Sequence, residues 1–268
     1  MEFISNIHFK FPSPRPCEFE ENNVVHGRLY RGAKAWQERP LIILLHGGGN
    51  FPGHQLRFQL LARCCHRAGF NVATLELPYH FQRHIRRMEA LDYLRGAEAF
   101  GQAIAEIRAL TGWVLVRGCP AVALLGISLG GWLAGLAATR DSRLNAIVMA
   151  EPAVRPNYRV MCGGRILWPP VRKALERQKA AREALAKTPL NLMLSQPVIP
   201  KENILLIEGR HDLFADAEHT EALWQKWGQP EIWRLQQGHI SGLFVPGLTG
   251  RALRWLAPRL EAGRKNNV

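Results

Sequence analysis

Ser128, Asp212 and His239 are the residues of this chain whose types and placement suit nucleophilic chemistry. A serine hydroxyl is a poor nucleophile at neutral pH. It needs a base within hydrogen-bond reach, and that base needs an orienting carboxylate. Each of the three follows an apolar run that reads as a strand: Ser128 after 121–125, Asp212 after 204–208, His239 after 231–235. Parallel strands bring their C-terminal loops to one edge of a sheet, so residues far apart in sequence meet there.

Ser128 sits in Gly126-Ile127-Ser128-Leu129-Gly130, between the apolar run and an Ala/Leu-rich stretch over 131–139. This predicts strand, sharp turn and helix, with the serine at the apex in a strained conformation and glycines where a Cβ would clash. The first amides of the helix and the positive end of its dipole then face any negative charge developing beside Ser128. In isolation the pattern also describes a serine capping an ordinary helix. Duller readings exist for the others too: Gly47 to Gly49 as a flexible turn, Asp212 as a cap, His239 as a loop residue. Their arrival in the order Ser, Asp, His at strand ends favours the catalytic reading.

Asp212 has rivals in Glu208, Asp216 and Glu151. Gly209-Arg210-His211-Asp212 puts Asp212 in the loop just beyond its strand, whereas Asp216 suits an N-cap for the helix after it. Glu151 follows the strand after the elbow and is the competitor to test. His80 and His84 have the i, i+4 spacing of a helical metal pair, but Pro78 precedes them and no second ligand set is present, so they read as surface or pocket-rim residues. His211 and His219 read as structural.

The elements that must position these residues follow an α/β rhythm. Strands are expected at 41–45, 70–77, 121–125, 144–149, 204–208 and 231–235, and helices at 53–67, 92–110, 131–139, 216–227 and 248–260, with 263–268 as a frayed tail. The helix at 53–67 should turn Leu56, Leu60 and Leu61 inward. Residues 1–37 read as an extension in which 24–25 and 28–30 are edge strands joined around Gly27. Residues 152–200 break the rhythm with Pro156, Gly163-Gly164, Trp168-Pro169-Pro170 and Pro189 around a helical stretch, which suggests an inserted cap. One α/β domain over 1–268 accommodates all of this.

Composition bounds the class. The chain has 268 residues, 35 basic against 22 acidic, and a net charge of +13. Nine basic and two acidic residues fall in the cap, a net of +7. That cap and the group Arg83, Arg86, Arg87 and Arg95 read first as solvated faces; peripheral contact with an anionic membrane is the functional alternative. No nucleic-acid motif accompanies the charge, so no specific nucleic-acid partner is expected. The five cysteines (Cys17, Cys64, Cys65, Cys119, Cys162) form no metal-knuckle spacing and read as free thiols. No run approaches the ~18 apolar residues of a membrane span, and 1–16 lacks the apolar core of a secretory signal, so a cytoplasmic protein is expected.

With these motifs the chain resembles an α/β-hydrolase. Leu44-Leu45-His46-Gly47-Gly48-Gly49, Gly126-Ile127-Ser128-Leu129-Gly130-Gly131, Glu208-Gly209-Arg210-His211-Asp212 and Gly238-His239 carry the resemblance, across about residues 38 to 262. Within that superfamily it is most similar to small bacterial esterases of the dienelactone-hydrolase-like and acyl-hydrolase types. The resemblance implies an α/β fold with a mostly parallel central sheet flanked by helices and a small helical cap. It also implies roles: Ser128 attacks an acyl carbonyl, His239 takes and returns the proton, and Asp212 orients the imidazole. The oxyanion hole would use the Leu129 amide with an amide of the Gly48–Gly49 region. No metal or cofactor is implied, and the substrate would be a small-molecule carboxylic ester cleaved through an acyl-enzyme. A peptidase, amidase or thioesterase would use the same triad, and a noncatalytic binding protein is the reading from another class.

Overall fold

The continuous apolar runs become the buried strands of one sheet. The computed structural model describes residues 2–3, 8–32, 39–48, 53–85, 97–154, 187, 190–212, 214–239 and 241–266. Its strands are β1 (Glu2–Phe3), β2 (His8–Pro12), β3 (Val24–Tyr30), β4 (Leu41–Leu45), β5 (Asn71–Leu75), β6 (Val122–Ile127), β7 (Ala146–Ala150), β8 (Ile204–Gly209) and β9 (Glu231–Leu235). They lie in the order β1-β2-β3-β5-β4-β6-β7-β8-β9. From β5 to β9 every pairing is parallel, and β1 to β3 extend the β5 edge in antiparallel fashion. The sheet is therefore mixed and mostly parallel.

Helices α1 (His54–Arg67), α2 (Ala97–Val116), α3 (Leu129–Ala138), α4 (Ala217–Lys226) and α5 (Leu248–Asn266) cover both faces. The strand period divides the core: Leu41, Ile43 and Leu45 of β4 join residues of α2, α3 and α4, while Ile42 and Leu44 join those of α1 and α5. A parallel strand covered on both sides must be apolar throughout, and all five residues of β4 and of β7 are buried.

Several expectations are corrected. In α1 the inward stripe is Phe58, Ala62 and Cys65, with Leu61 partly buried against it; Leu56 and Leu60 are 59% and 49% exposed. A helix buries one face, and the aromatic at 58 claims it, with each such buried side chain contributing about 1.5–3 kcal/mol. Gly27 does not join two strands but lies inside β3, opposite Phe9. Any Cβ there would collide with the Phe9 ring, so the glycine makes room for an aromatic across the sheet. Of the helix expected over 92–110, residues 92–96 lie outside the described residues and the rest forms α2, which continues to Val116; α5 runs through 263 to Asn266 where a frayed tail was expected.

Arg83 is not part of a solvated face. It is fully buried, donating to Glu106 Oε1 at 2.7 Å and Oε2 at 2.8 Å, and to the Glu76 carbonyl at 2.8 Å. Arg86, Arg87, Arg95, Gly49 and residues 155–186 and 188–189, which hold Cys162 and most of the expected cap, lie outside the described residues.

Candidate active site

Three strand exits build the site. β6 ends in the elbow, where Ser128 has φ 54° and ψ −113°, a conformation that costs an L-residue about 1–3 kcal/mol. The turn closes because side chains are missing on either side of it. A Cβ at Gly126 would strike the Gly130 carbonyl, and one at Gly130 would strike the Leu45 carbonyl. The neighbouring exit clamps the elbow: Ser128 N–H donates to the Ala150 carbonyl at 2.8 Å, and Ala153 N–H donates to the Ser128 carbonyl at 3.2 Å.

Ser128, His239 and Asp212 form one hydrogen-bonded chain. His239 Nδ1 lies 2.6 Å from Asp212 Oδ2, and His239 Nε2 lies 2.9 Å from Ser128 Oγ. A carboxylate only accepts, so the hydrogen belongs on Nδ1 and Nε2 is left to accept from the serine hydroxyl. Asp212 is buried and held from the other side, its Oδ1 accepting the Phe214 and Ala215 N–H groups at 2.8 Å each. The exposed Phe214 ring packs against His239, with centroids 5.4 Å apart. Asp216 is the N-cap of α4, accepting from Glu218 N–H at 3.1 Å. Glu208 is buried at the end of β8 with Arg210 3.9 Å away.

Facing the elbow is the exit of β4. Gly47 runs beside Ser128, so that a Cβ on it would stand 3.5 Å from Ser128 Cβ and 3.9 Å from His54 Nε2. His46 pins this loop to the exit of β5. Its Nε2 accepts Leu77 N–H at 3.0 Å, which leaves the hydrogen on Nδ1 to donate to the Gly47 carbonyl at 2.7 Å. Burial and the adjacent His80 hold His46 well below its ordinary titration range, so the ring stays neutral. Leu129 opens α3 with its amide among those that have no intrahelical partner. Gly48 is partly buried, and Gly49 lies outside the described residues.

His80 and His84 do not share a helix face, because the residues between them form a short 3-10 turn. His80 is 1% exposed and packs on His46 at 4.9 Å between ring centroids, which corrects the surface or rim assignment; His84 is exposed. Proline at 78 and the positive φ of Tyr79 and Phe81 turn the chain inward here, a signal that spacing alone does not carry.

Glu151, the exit residue of β7, lies between the Ser128 and Asp212 strands. It is 2% exposed, has φ 46°, and neither carboxyl oxygen has a hydrogen-bond partner. Burial, and then the Asp212 charge, push its titration up to about 8. Among the described residues, Glu151, Asp212 and His239 are the group of three whose coordinating atoms all lie within 4.8 Å of one another. In this group the His239 and Asp212 atoms are already engaged with each other.

The model of the alpha/beta hydrolase family matches residues 42–266. The chain belongs to that family, and its fold is the α/β architecture that the family shares. It is 26% identical over 247 residues to the uncharacterized protein Rv2627c of Mycobacterium tuberculosis, covering 87% of this chain and 56% of that protein. The chain thus spans about half the length of the curated relatives it matches. Among solved structures, esterase Pf2001 of Pyrococcus furiosus superposes with a TM-score of 0.66 at 16% identity, over 94% of this chain and 90% of that one. A hyperthermophilic esterase of Pyrobaculum calidifontis gives 0.63 at 18% identity, over 95% and 82%. Among the described residues no helix is long and apolar enough to cross a membrane.

Proposed function

We propose that the chain is a serine hydrolase that cleaves a small-molecule carboxylic ester through an acyl-enzyme. The observation that carries this is the unbroken chain from Ser128 Oγ through His239 to Asp212, at 2.9 and 2.6 Å. In the proposed reaction Ser128 Oγ attacks the acyl carbonyl while His239 Nε2 takes its proton. Asp212 holds the ring in that tautomer and stabilises the imidazolium. His239 then passes the proton to the leaving alkoxide, and a water activated by the same nitrogen releases the acid.

The Leu129 amide, with an amide of Gly48 or Gly49, is assigned to the tetrahedral oxyanion. A donor of that kind contributes about 3–4 kcal/mol to the transition state. Phe214, packed on His239, is assigned as an apolar wall for one side of the substrate. Residues 152–200 are assigned as an insertion in the same single domain, anchored to its core through Val154, Leu192 and Ile199. The ester class draws support from the two solved relatives, both of which are esterases by name.

Covalent labelling by a fluorophosphonate probe tests the chemistry without a known substrate. Wild type should label at Ser128, and Ser128→Ala and His239→Ala should not. Folded wild type that stays unlabelled would overturn the assignment in favour of a binding protein. Panels of esters, thioesters and amides with matched acyl groups then decide the substrate class, with esters expected to turn over fastest.

A further inference from the structure

The buried carboxyl of Glu151 has no part in the reaction as written above, yet it lies against its two central groups. We propose that Glu151 is a positioning residue for the Asp212–His239 pair, acting in its neutral, hydrogen-bearing form and disrupting the pair when ionised. This inference rests on the serine-hydrolase assignment made above.

Geometry distributes charge and proton between the two acids. Asp212 accepts three hydrogen bonds, from Phe214 N–H, Ala215 N–H and His239 Nδ1–H. Glu151 accepts none, and both its oxygens are buried. A buried carboxylate without donors is several kcal/mol out of balance, whereas the neutral acid is not. Two carboxylates within 4.8 Å also disfavour ionisation of both. So the negative charge belongs on Asp212 and the proton on Glu151. Asp212 and His239 are the titratable groups that face Glu151 among the described residues; Asp212 is the charge that acts on it, and no cation offsets that charge.

The fold holds Glu151 in this position. Its N–H donates to the Ile207 carbonyl at 2.7 Å, fixing the β7 exit to β8. Its carboxyl occupies space left by two glycines, since a Cβ at Gly209 would stand 3.2 Å from Oε1 and one at Gly242 would collide with it. A carboxylate has about four lone-pair sites, and three on Asp212 are taken. A neutral acid next to it can supply the fourth donor without competing for the His239 proton. Once ionised, Glu151 becomes a second acceptor for His239 Nδ1–H and repels Asp212, and the imidazole loses its single orientation.

The test follows fluorophosphonate labelling rates and thermal midpoints of wild type, Glu151→Gln and Glu151→Ala from pH 4 to 10. The wild-type rate should fall through about pH 8, where Glu151 ionises. Glu151→Gln, a permanently neutral donor, should stay flat there and recover most of the rate lost in Glu151→Ala, whose deficit should be about tenfold or more at all pH values. The midpoint of Glu151→Gln relative to wild type should climb between pH 4.5 and about 8 and then level off. A shared alkaline fall with a pH-independent midpoint difference would overturn the proposal while leaving the hydrolase assignment intact. Loss of labelling in Glu151→Gln as complete as in Asp212→Asn would overturn it too, by making the ionised Glu151 the orienting acid. Unlabelled wild type removes the hydrolase assignment and the positioning role with it, and the midpoint curves then still report which acid holds the proton.

Discussion

Gly242 stands where a Cβ would collide with Glu151 Oε1, so the turn after His239 and the carboxyl after β7 are in direct contact. Gly242→Ala must therefore displace the buried Glu151 carboxyl, which lies beside the Asp212–His239 pair. We expect at least a tenfold loss of probe-labelling rate. In the double variant with Glu151→Ala the collision is gone, so adding Gly242→Ala should cost little. A double-mutant cycle on labelling rates checks this, with a coupling of about 1 kcal/mol or more expected for groups in direct contact.

Asp212 and Glu151 are separated by substitution of each to its amide. Asp212→Asn keeps the shape but reverses the donor toward His239 Nδ1, which favours the wrong tautomer, and should lower turnover by about 10⁴-fold with little change in thermal midpoint. Glu151→Gln should not approach that loss at neutral pH. Turnover of a simple ester at pH 7 for both variants is the measurement.

Acid sensitivity has a local source in the histidine cluster. Burial lowers His80 to about 4 from an ordinary 6.5, so the unfolded chain takes up this proton before the folded one. Stability from the neutral ring is therefore complete above pH 6.5 and lost as pH falls from 6.5 toward 4, on the order of 3 kcal/mol in all. His80→Phe keeps the ring packing on His46, gives up the bond to the Pro78 carbonyl, and removes the titration. Denaturation midpoints across that window should fall less steeply in the variant than in wild type.

The strands and the Ser128 elbow were legible because each depends on short-range signals: apolar runs long enough for buried strands, and glycines at fixed offsets from Ser128. Side-chain depth was less legible. Leu56 and Leu60 suit a core as well as Phe58 does, and their spacing does not say which face of α1 meets the sheet. Arg83 reads as one cation in a basic stretch until α2 brings Glu106 beneath it, a pairing across 23 positions. Glu151 was visible as a competing acid. Its closeness to Asp212 depends on β7 lying between β6 and β8, which is a property of strand order.

The Arg83–Glu106 pair makes a further prediction, about stability. Both side chains are 0% exposed, and Arg83 also donates to the Asn22 and Glu76 carbonyls, tying the N-terminal segment and the β5 exit to α2. Burial raises Glu106 while the guanidinium opposes that rise. Arg83→Met leaves the carboxyl enclosed without its cation, and breaking such a pair costs about 3–5 kcal/mol. At roughly 2–4 °C per kcal/mol for a chain of this size, the midpoint at pH 7.5 should fall by about 10 °C. The unpaired Glu106 escapes the penalty by binding a proton, so its folded-state titration rises further above the unfolded value, and the deficit grows with pH from about 4.5 upward. Arg83→Met should thus be closer to wild type at pH 5 than at pH 8, and Arg83→Met with Glu106→Leu should recover stability at pH 8 because no charge remains to be buried. Thermal melts of the three proteins at the two pH values decide the matter. Equal deficits at both, or a double variant no better than the single, would mean that Arg83 acts through its carbonyl contacts and not through Glu106.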